Sequence, residues 1–521
     1  MDLKNTVIGI ELGSTRIKAL LIDREHKAVA AGTWEWENIL SDGIWTYPMD
    51  MVKKGIQSCY RDLKENVREK FNVDITTVGA IGISGMMHGY LPFDKNGKQL
   101  TEFRSWRNTI TAQAASILTE LFDFNIPQRW SIAHLYQAIL NKEEHVKDID
   151  FITSLAGYVH FLLSGEKVVG IGEASGIFPI DSSCLDYDRE MIDKFDAISA
   201  QPWKLRDILP KALPAGTSGG FLTEAGALFL DPSGMLKAGV PLAACEGDAG
   251  SGMTACNAVI EGSGNVSVGT SDFAMIVTGH PLKVHRQIDM VTTPEGLPVA
   301  MVHCNNCTSD INAWAEIFGE FADMAGMPVD REKLYSMLFK EALAGDPDCG
   351  GLLSYNYFSG EGVTDIDEGR PVFLRHPNSK FNLANFMRMH LMSALATLKI
   401  GMDILTKEEN VRINKIYGHG GFFKTAEIGQ KILSAAINAP VSCMISAAEG
   451  GPYGMALLGA YMLWKEEGES LADYLENKVF ASVRFTTLMA DAEEVEGFNK
   501  FTERYKKIFD IERMAVNLLK I

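Results

Sequence analysis

The sequence lacks any hydrophobic run that approaches the roughly 20 residues of a membrane-spanning helix. Its N-terminus, MDLKNTVIGIELG, also lacks the separate charged, apolar and cleavage regions of a secretion signal. No cluster of Lys and Arg offsets the formal net charge of −18, which argues against nucleic acid or an anionic membrane as the main partner. We therefore expect a cytoplasmic protein.

Cysteine is also scarce, because eight cysteines in 521 residues are too few for a disulfide scaffold. The one close pair is Cys304 and Cys307, which enclose two asparagines and follow His303. A zinc or redox site could use this spacing, but no second pair at ligand spacing accompanies it. Most of the other cysteines lie in apolar surroundings, as small core residues do.

The chain is long enough for two domains. At 521 residues and 57.3 kDa it exceeds the size at which one hydrophobic core keeps growing. A stretch rich in Gly, Pro and Ser at 213–239 precedes the sequence PLAACEGDAGSGM. We therefore predict an N-terminal domain over residues 1–244 and a C-terminal domain over residues 245–521.

Two similar stretches, TVIGIELGSTRIKALLID at 6–23 and GNVSVGTSDFAMIV at 264–277, stand about half a chain apart. Each has two β-branched or aliphatic runs around a small-residue turn, which predicts a buried hairpin. The turns are Gly13-Ser14-Thr15 and Gly269-Thr270-Ser271. Glycine and hydroxyl residues leave backbone N–H groups and hydroxyls available to an anion. Ordinary hairpin turns are the alternative, but the recurrence favours two phosphate loops.

Other segments alternate between helical and strand-like patterns. Helical periodicity marks residues 52–71, 112–122, 132–140, 311–325 and 382–405, and buried strands are predicted at 78–83 and 413–417. Such alternation, with glycine-rich turns between the elements, predicts α/β sheets with mixed strand directions.

Glycine-rich turns mark two further places in the second half. The turn Gly418-His419-Gly420-Gly421 lies between a predicted strand and a helix, where a flat ring or a phosphate can approach the backbone closely. It does not have the G-x-G-x-x-G pattern of a dinucleotide site. A second turn, Glu449-Gly450-Gly451-Pro452-Tyr453-Gly454, fits either the wall of a nucleotide pocket or simple helix punctuation.

Asp248 lies at the predicted join, in Glu246-Gly247-Asp248, between an apolar strand and a helix that begins near Ala249. One interpretation is a helix N-cap. The other is a general base, because a carboxylate at a helix start can accept a proton from a hydroxyl while the helix N-terminus attracts a phosphoryl group. The phosphate loops in both halves favour the general base.

Taken in order, these motifs resemble those of the FGGY carbohydrate kinases, which belong to the ATPase superfamily that includes actin and the heat-shock chaperone ATPases. The resemblance runs from Val7 to about Ala460. The family pattern I-D-x-G-T-[ST] corresponds to Ile10-Glu11-Leu12-Gly13-Ser14-Thr15, and the pattern G-G-D corresponds to Glu246-Gly247-Asp248. The pattern S-x-G-T-S corresponds to Ser267-Val268-Gly269-Thr270-Ser271, and the pattern G-G-G corresponds to His419-Gly420-Gly421. The resemblance to this family implies an α/β fold of two actin-like, ribonuclease H-like domains around a central cleft.

The substrate side is most similar to the xylulokinase branch of that family. Ser84-Gly85-Met86-Met87-His88-Gly89 looks like the G-Q-M-H-G of xylulokinases, with Met86 in place of Gln. Ser105-Trp106-Arg107-Asn108 looks like the W-x-D turn that contacts sugar hydroxyls, and Glu173-Ala174-Ser175-Gly176 looks like D-A-S-G. The resemblance implies substrate contacts at Met87, His88, Trp106, Asn108 and Asp248.

The resemblance further implies ATP and Mg²⁺ as cofactors, a small-molecule sugar as partner, and a possible homodimer. Asp248 would be the general base, and Glu11 and Asp248 would hold the metal. The expected nucleotide contacts are Gly13, Ser14, Thr15, Gly269, Thr270, Ser271, Gly420, Gly421 and Thr425.

Three departures from the family pattern affect this picture. Glu11 and Glu173 each replace a shorter acid, and Asn108 replaces a sugar-binding aspartate. The predicted function is ATP-dependent phosphorylation of a ketopentose such as xylulose at a terminal hydroxyl. The alternatives are a kinase of another ketose, sugar acid or polyol with the same fold, and a non-catalytic sensor of sugar or nucleotide.

Overall fold

The computed structural model describes residues 2–425, 427–444 and 450–520. These residues form two compact units. The first comprises residues 2–260, 289–299 and 450–483, and the second comprises residues 261–288, 300–425, 427–444 and 484–520. This division differs from the boundary predicted between residues 244 and 245, because Asp248 and the segment 450–483 lie in the first unit.

Among the described residues, the main sheet of the first unit contains seven strands, and six strands of the second unit form most of the other main sheet. Those of the first are β1 Val7–Leu12, β2 Arg16–Ile22, β3 Ala28–Glu35, β4 Ala80–Gly85, β5 Ser218–Phe221, β6 Pro241–Ala243 and β7 Glu246–Gly247. Those of the second are β8 Ser263–Val268, β9 Asp272–Val277, β10 Pro298–Cys304, β11 Lys415–His419, β12 Val441–Met444 and β13 Phe485–Leu488.

The two sheets share one plan of strand directions. In the first the order is β3–β2–β1–β4–β6–β5, where β1/β2 and β5/β6 are antiparallel and β1/β4 and β4/β6 are parallel. In the second the order is β10–β9–β8–β11–β12–β13, where β8/β9 and β12/β13 are antiparallel and β8/β11 and β11/β12 are parallel. The repeated hairpin of the sequence therefore belongs to a repeated sheet.

Short strands occur outside these sheets. They are Ile39–Ser41 with Ile44–Thr46, Leu91–Phe93 with Phe151–Thr153, Val168–Gly170 with Lys211–Leu213, Ile180–Asp181 with Asp186–Tyr187, and Leu352–Tyr355 with Val372–Arg375. One more strand, Asp289–Thr292, precedes β10 in the order of its sheet.

Helices cover the chain between the strands. In the first unit they are α1 Met49–Phe71, α2 Ala112–Phe122, α3 Ser131–Leu140, α4 Leu155–Ser164, α5 Ile171–Ser175, α6 Arg189–Ser199, α7 Leu205–Ile208, α8 Glu224–Leu230 and α9 Asp248–Ala255. They continue as α10 Ser309–Met324, α11 Arg331–Ala342, α12 Leu383–Asp403 and α13 Ile428–Ile437 in the second, α14 Gly451–Trp464 and α15 Leu471–Tyr474 in the first, and α16 Ala492–Lys507 and α17 Phe509–Leu518 in the second.

The hairpins and the long helices of the sequence analysis are confirmed. The helix expected at 112–122 is α2, and those expected at 52–71, 311–325 and 382–405 are α1, α10 and α12 with ends shifted by up to three residues. The predicted α/β organisation, with mixed strand directions in each main sheet, is likewise confirmed.

Helix α14 packs on the first sheet through glycines that permit very close approach. A Cβ atom built on Gly9 in β1 would lie 2.0 Å from the Pro452 carbonyl oxygen. One built on Gly454 would lie 1.8 Å from the Ser251 carbonyl oxygen in α9. Both separations are far below a van der Waals contact, so a side chain at either position would force the helix away from its neighbours.

We predict that Gly454→Ala destabilises the protein by about 1–3 kcal/mol, because the added methyl group overpacks the contact of α14 with α9. Chemical denaturation of the purified variant measures this change. Gly252→Ala is the matched control, since Gly252 lies in α9 with open space around a built Cβ. Helix propensity alone should make that control neutral or up to about 1 kcal/mol more stable. Equal stabilities for the two variants would contradict the packing argument.

Candidate active site

Three strands of the first unit end at one level. In the parallel ladders, Leu12 of β1 and Gly247 of β7 both align with Gly85 of β4. The residues that follow them, Gly13, Met86 and Asp248, therefore start at the same edge of the sheet. The carboxyl edge of parallel strands is where α/β proteins bind their ligands.

The first predicted phosphate turn, residues 13–15, joins β1 to β2. Its backbone is held from one side by two aromatic donors: Trp36 Nε1 donates to the Gly13 carbonyl oxygen at 2.6 Å, and the Tyr47 hydroxyl donates to that of Ser14 at 2.7 Å. Ser14 is half-buried and Thr15 is exposed. The turn thus has a fixed backbone with a hydroxyl side chain in solvent.

Asp248 is the first residue of α9, and the N-cap is Gly247 rather than Asp248. The N-cap interpretation of Asp248 is therefore wrong. Its carboxylate instead accepts the N–H of Met87 at 3.3 Å, across the sheet edge. Burial raises the pKa of this carboxyl to about 6, while N–H donors that include Met87 oppose the shift.

Glu11 is near Asp248. Burial, followed by the negative charge of Asp248, raises the pKa of Glu11 to about 7, and Lys18 opposes this shift. The start of α14 also approaches Glu11, because a Cβ built on Gly451 would lie 2.1 Å from Glu11 Oε1. Two neighbouring carboxylates suit Mg²⁺, which takes one or two carboxylates together with water and phosphate oxygens.

Met87 and His88 follow β4 and are both buried, with 6% and 4% of their surface exposed. His88 has φ = +71°, an uncommon conformation for a residue with a side chain. Its Nδ1 lies 3.1 Å from the Gly176 carbonyl oxygen, which can only accept, so Nδ1 carries the proton. In a neutral imidazole with the proton on Nδ1, Nε2 is the hydrogen-bond acceptor of the ring.

Trp106 and Asn108 lie in one turn but differ in their surroundings. Trp106 is partly exposed. The amide of Asn108 is used within the protein: Nδ2 donates to the carbonyl oxygens of Trp45 and Ser105 at 2.8 and 2.9 Å, and Oδ1 accepts the Trp45 N–H at 2.8 Å. An amide can satisfy this arrangement and a carboxylate cannot, which explains why Asn stands here.

Sequence reasoning missed the carboxyl of Glu246, which is buried beside the site. It accepts the N–H groups of Gly172 at 3.1 Å and Gly247 at 3.2 Å, and burial raises its pKa to about 7. Burial also raises the pKa of Glu173 well above its usual value. A Cβ on Gly247 would lie 2.6 Å from Glu173 Oε2. The sequence feature that could have indicated these buried acids is the position of Glu173 and Glu246 within glycine-rich segments.

In the second unit, the turn at residues 269–271 joins β8 to β9. The Cys307 N–H donates to the Thr270 carbonyl oxygen at 3.0 Å, and the Thr308 N–H donates to that of Gly269 at 3.1 Å. Thr270 and Ser271 are exposed. This turn, like the first, is anchored through its carbonyl groups and presents hydroxyl side chains to solvent.

The glycine turn after β11 lies beside the end of β8. Gly420 has φ = +106°, and a Cβ there would lie 2.3 Å from the Val268 carbonyl oxygen. Gly421 begins the 3₁₀ turn Gly421–Phe423 and has open space around a built Cβ. Thr425 is half-buried. The predicted nucleoside contacts Gly420 and Gly421 are thus adjacent to the second phosphate turn.

The other glycine-rich turn of the sequence analysis covers residues 449–454, and its first residue, Glu449, lies outside the described residues. Gly450 has φ = +66° and is the N-cap of α14, so this turn does start a helix. Across residues 2–425, 427–444 and 450–520, no group of three or more His, Cys, Asp or Glu side chains is arranged to bind a metal ion. Cys304 and Cys307 are free thiols in the core.

Family models provide an independent comparison. The N-terminal domain of the FGGY family of carbohydrate kinases matches residues 6–255, and the C-terminal domain of that family matches residues 264–463. Fold and sequence therefore define the protein as a carbohydrate kinase. The chain belongs to the FGGY family.

Individual relatives are similar along their whole length. A xylulose kinase of Haemophilus influenzae is 23% identical, with 96% of this chain and 98% of the relative covered. The ligand-bound xylulose kinase structure from Lactobacillus acidophilus superimposes with a TM-score of 0.80 at 17% identity, covering 97% of this chain and 98% of that one. A gluconate kinase from the same organism gives a TM-score of 0.77 at 16% identity, covering 97% and 98%.

None of the helices in the described ranges combines the length and the apolar character that crossing a membrane requires.

We predict that Asn108→Asp destabilises the protein by about 1–3 kcal/mol, because the Trp45 and Ser105 carbonyl oxygens lose their donor and face a carboxylate. Thermal and chemical denaturation measure the loss. Asn378→Asp, at an exposed turn position, is the matched control and should change little. Unchanged stability of Asn108→Asp would indicate that the amide is not held as described.

Proposed function

We propose that the protein transfers the γ-phosphoryl group of ATP to a terminal hydroxyl of a ketopentose such as xylulose. The observation that carries this proposal is the position of Asp248. Its carboxylate lies at a helix start beside Met87, at the edge where the strands of the first sheet end. The similarity to the xylulose kinase of Haemophilus influenzae supports the choice of sugar.

The sugar would bind in the first unit. Met87 supplies an apolar wall, His88 lies next to it just after β4, and Trp106 offers a flat face. Asn108 would act by holding the turn that carries Trp106, since its amide is already engaged by backbone groups.

ATP would be bound by backbone and hydroxyl groups, because the net charge of the chain is negative. Turns of Gly, Ser and Thr provide N–H and O–H donors to phosphate oxygens without a basic side chain. We assign the phosphates to Gly13-Ser14-Thr15 and Gly269-Thr270-Ser271. The nucleoside is assigned to Gly420 and Gly421, whose missing side chains allow close approach, and to Thr425.

Asp248 accepts the proton of the attacking hydroxyl as the sugar oxygen bonds to the γ-phosphorus and the bond from that phosphorus to the β–γ bridging oxygen breaks. Its pKa of about 6 leaves the carboxylate mostly ionised at neutral pH and close to the pKa that suits a general base. Glu11 and Asp248 would hold Mg²⁺, which neutralises phosphate charge. The rest of the rate comes from positioning.

A sugar acid is the second candidate for the acceptor. The site departs from the xylulokinase pattern at Met86 and Glu173, and a gluconate kinase shares the fold almost as closely as a xylulose kinase does. Release of ADP with a panel of pentuloses, hexuloses, polyols and sugar acids tests the proposal. Strong stimulation by xylulose supports it, and stimulation by a sugar acid alone replaces the proposed acceptor.

We predict that Asp248→Ala lowers kcat by about 10²–10⁴-fold, the usual contribution of a general base. Binding of ATP, measured by calorimetry, should change only modestly. Asp231→Ala is a control for the loss of a buried aspartate in the same unit, and it should reduce stability rather than the rate of the folded enzyme. A near-normal kcat in Asp248→Ala would refute the assignment of the base.

We predict that Glu11→Asp retains activity or uses Mg²⁺ more effectively, because a water-mediated contact can absorb one methylene. Initial rates measured against Mg²⁺ concentration test this expectation. A loss of ATP binding in this variant would show that Glu11 has a different and dedicated role.

A further inference from the structure

The second phosphate turn is anchored by the segment that contains the two close cysteines. Cys307 donates its N–H to the Thr270 carbonyl oxygen. Thr308 donates both its N–H, at 3.1 Å, and its hydroxyl, at 2.7 Å, to the carbonyl oxygen of Gly269. Because peptide planes are rigid, fixing these carbonyl groups also fixes the directions of the N–H groups in the turn.

One buried acid organises that segment. Glu361 is 1% exposed, and its Oε2 accepts the N–H of Asn305 at 2.9 Å and the N–H and Nδ2–H of Asn306 at 3.2 Å each. Three donors on one oxygen hold the backbone at residues 305–306 in a single arrangement. Loss of the oxygen would leave buried N–H groups without an acceptor, which is strongly unfavourable.

Asn306 extends the same hydrogen-bonded body. It is 3% exposed, and its Oδ1 accepts the N–H groups of Phe358 at 2.8 Å and Ser359 at 3.0 Å. From the other side, Asn356 donates to the Cys307 carbonyl oxygen at 2.9 Å. Segments 356–361 and 305–308 are therefore joined by side-chain hydrogen bonds and end at the phosphate turn.

We propose that Glu361 and Asn306 are positioning residues for nucleotide binding, which act by holding residues 305–308 and through them the turn at residues 269–271. This inference rests on the proposed function, because it takes that turn to bind the phosphates of ATP. It also explains the segment with the two close cysteines: Asn305 and Asn306, which lie between them, make the hydrogen bonds to Glu361, and the thiols of Cys304 and Cys307 are buried in the core.

The chemistry of Glu361 provides a matched pair of variants. Burial raises the pKa of Glu361 to about 7, against the effect of its N–H donors, so the neutral acid is substantially populated at neutral pH. Glutamine has the shape of that neutral acid and keeps one oxygen to accept the three N–H groups. Alanine keeps none.

The test compares wild type, Glu361→Gln and Glu361→Ala by calorimetry with Mg-ATP and by initial rates. We expect Glu361→Ala to raise Kd and KM for ATP by about tenfold, which corresponds to one buried hydrogen-bonding group left unsatisfied. KM for the sugar should change by less than about twofold, and Glu361→Gln should restore ATP binding to within about threefold of wild type.

Glu512→Ala is the control for a merely structural effect. Glu512 is also buried in the second unit and accepts the backbone N–H of Arg370, but it has no contact with residues 305–308 among the described hydrogen bonds. This variant should lose thermal stability and retain its affinity for ATP. If Glu361→Ala does not fold, Asn306→Ser provides the same test, because a serine is too short to bridge the two segments.

The outcomes separate the two proposals. Wild type that does not bind Mg-ATP would overturn the proposed function and this inference with it. Wild type that binds Mg-ATP, with Glu361→Ala or Asn306→Ser binding it equally well, would overturn the inference alone. Two further results would also overturn it: an equal loss of affinity for ATP and for the sugar in Glu361→Ala, or an equal loss of affinity for ATP in Glu361→Gln and Glu361→Ala. Neither result is expected if Glu361 acts only by accepting N–H groups that hold the phosphate turn.

Discussion

The parallel pairing of β4 with β1 on one side and β7 on the other is the constraint on which the first unit depends. It aligns Leu12, Gly85 and Gly247, so that the turn after β1, the Met87–His88 pair and Asp248 start at one edge. A slip of one residue in either ladder would turn the side chains of that strand to the opposite face. The second sheet repeats this geometry with β8 and β11, which bring the turn at residues 269–271 beside Gly420.

The same edge gathers acids rather than bases, which limits how the phosphates of the proposed ATP substrate can be held there. Glu11, Glu173, Glu246 and Asp248 are neighbours whose pKa values are all raised, in each case chiefly by burial. Protons retained by some of these groups reduce the negative charge that a phosphate would meet. Backbone N–H groups and a divalent cation supply the remaining attraction, which is consistent with turns built from glycine and hydroxyl residues.

The sequence was sufficient for features that depend on local pattern. Both hairpins, the helix at 112–122 and the glycine turn before α13 follow from periodicity and turn chemistry, and the motif order indicated the family. Features that depend on distant contacts could not be inferred. Nothing local shows that the amide of Asn108 faces backbone carbonyl groups, or that Asn306 meets Glu361, 55 residues later in the chain. No local pattern signals that residues 450–483 return to the first unit.

That return has a consequence for the synthesis of the protein on the ribosome. Strand β1 emerges more than 400 residues before α14, which packs against Gly9 and begins only at Gly451. Until then the apolar strip of β1 that α14 covers has no native partner, while the whole second sheet except β13 is being made. The first unit therefore completes its core late in translation, and the nascent chain must remain soluble with that strip uncovered, a period in which chaperones commonly protect a growing polypeptide.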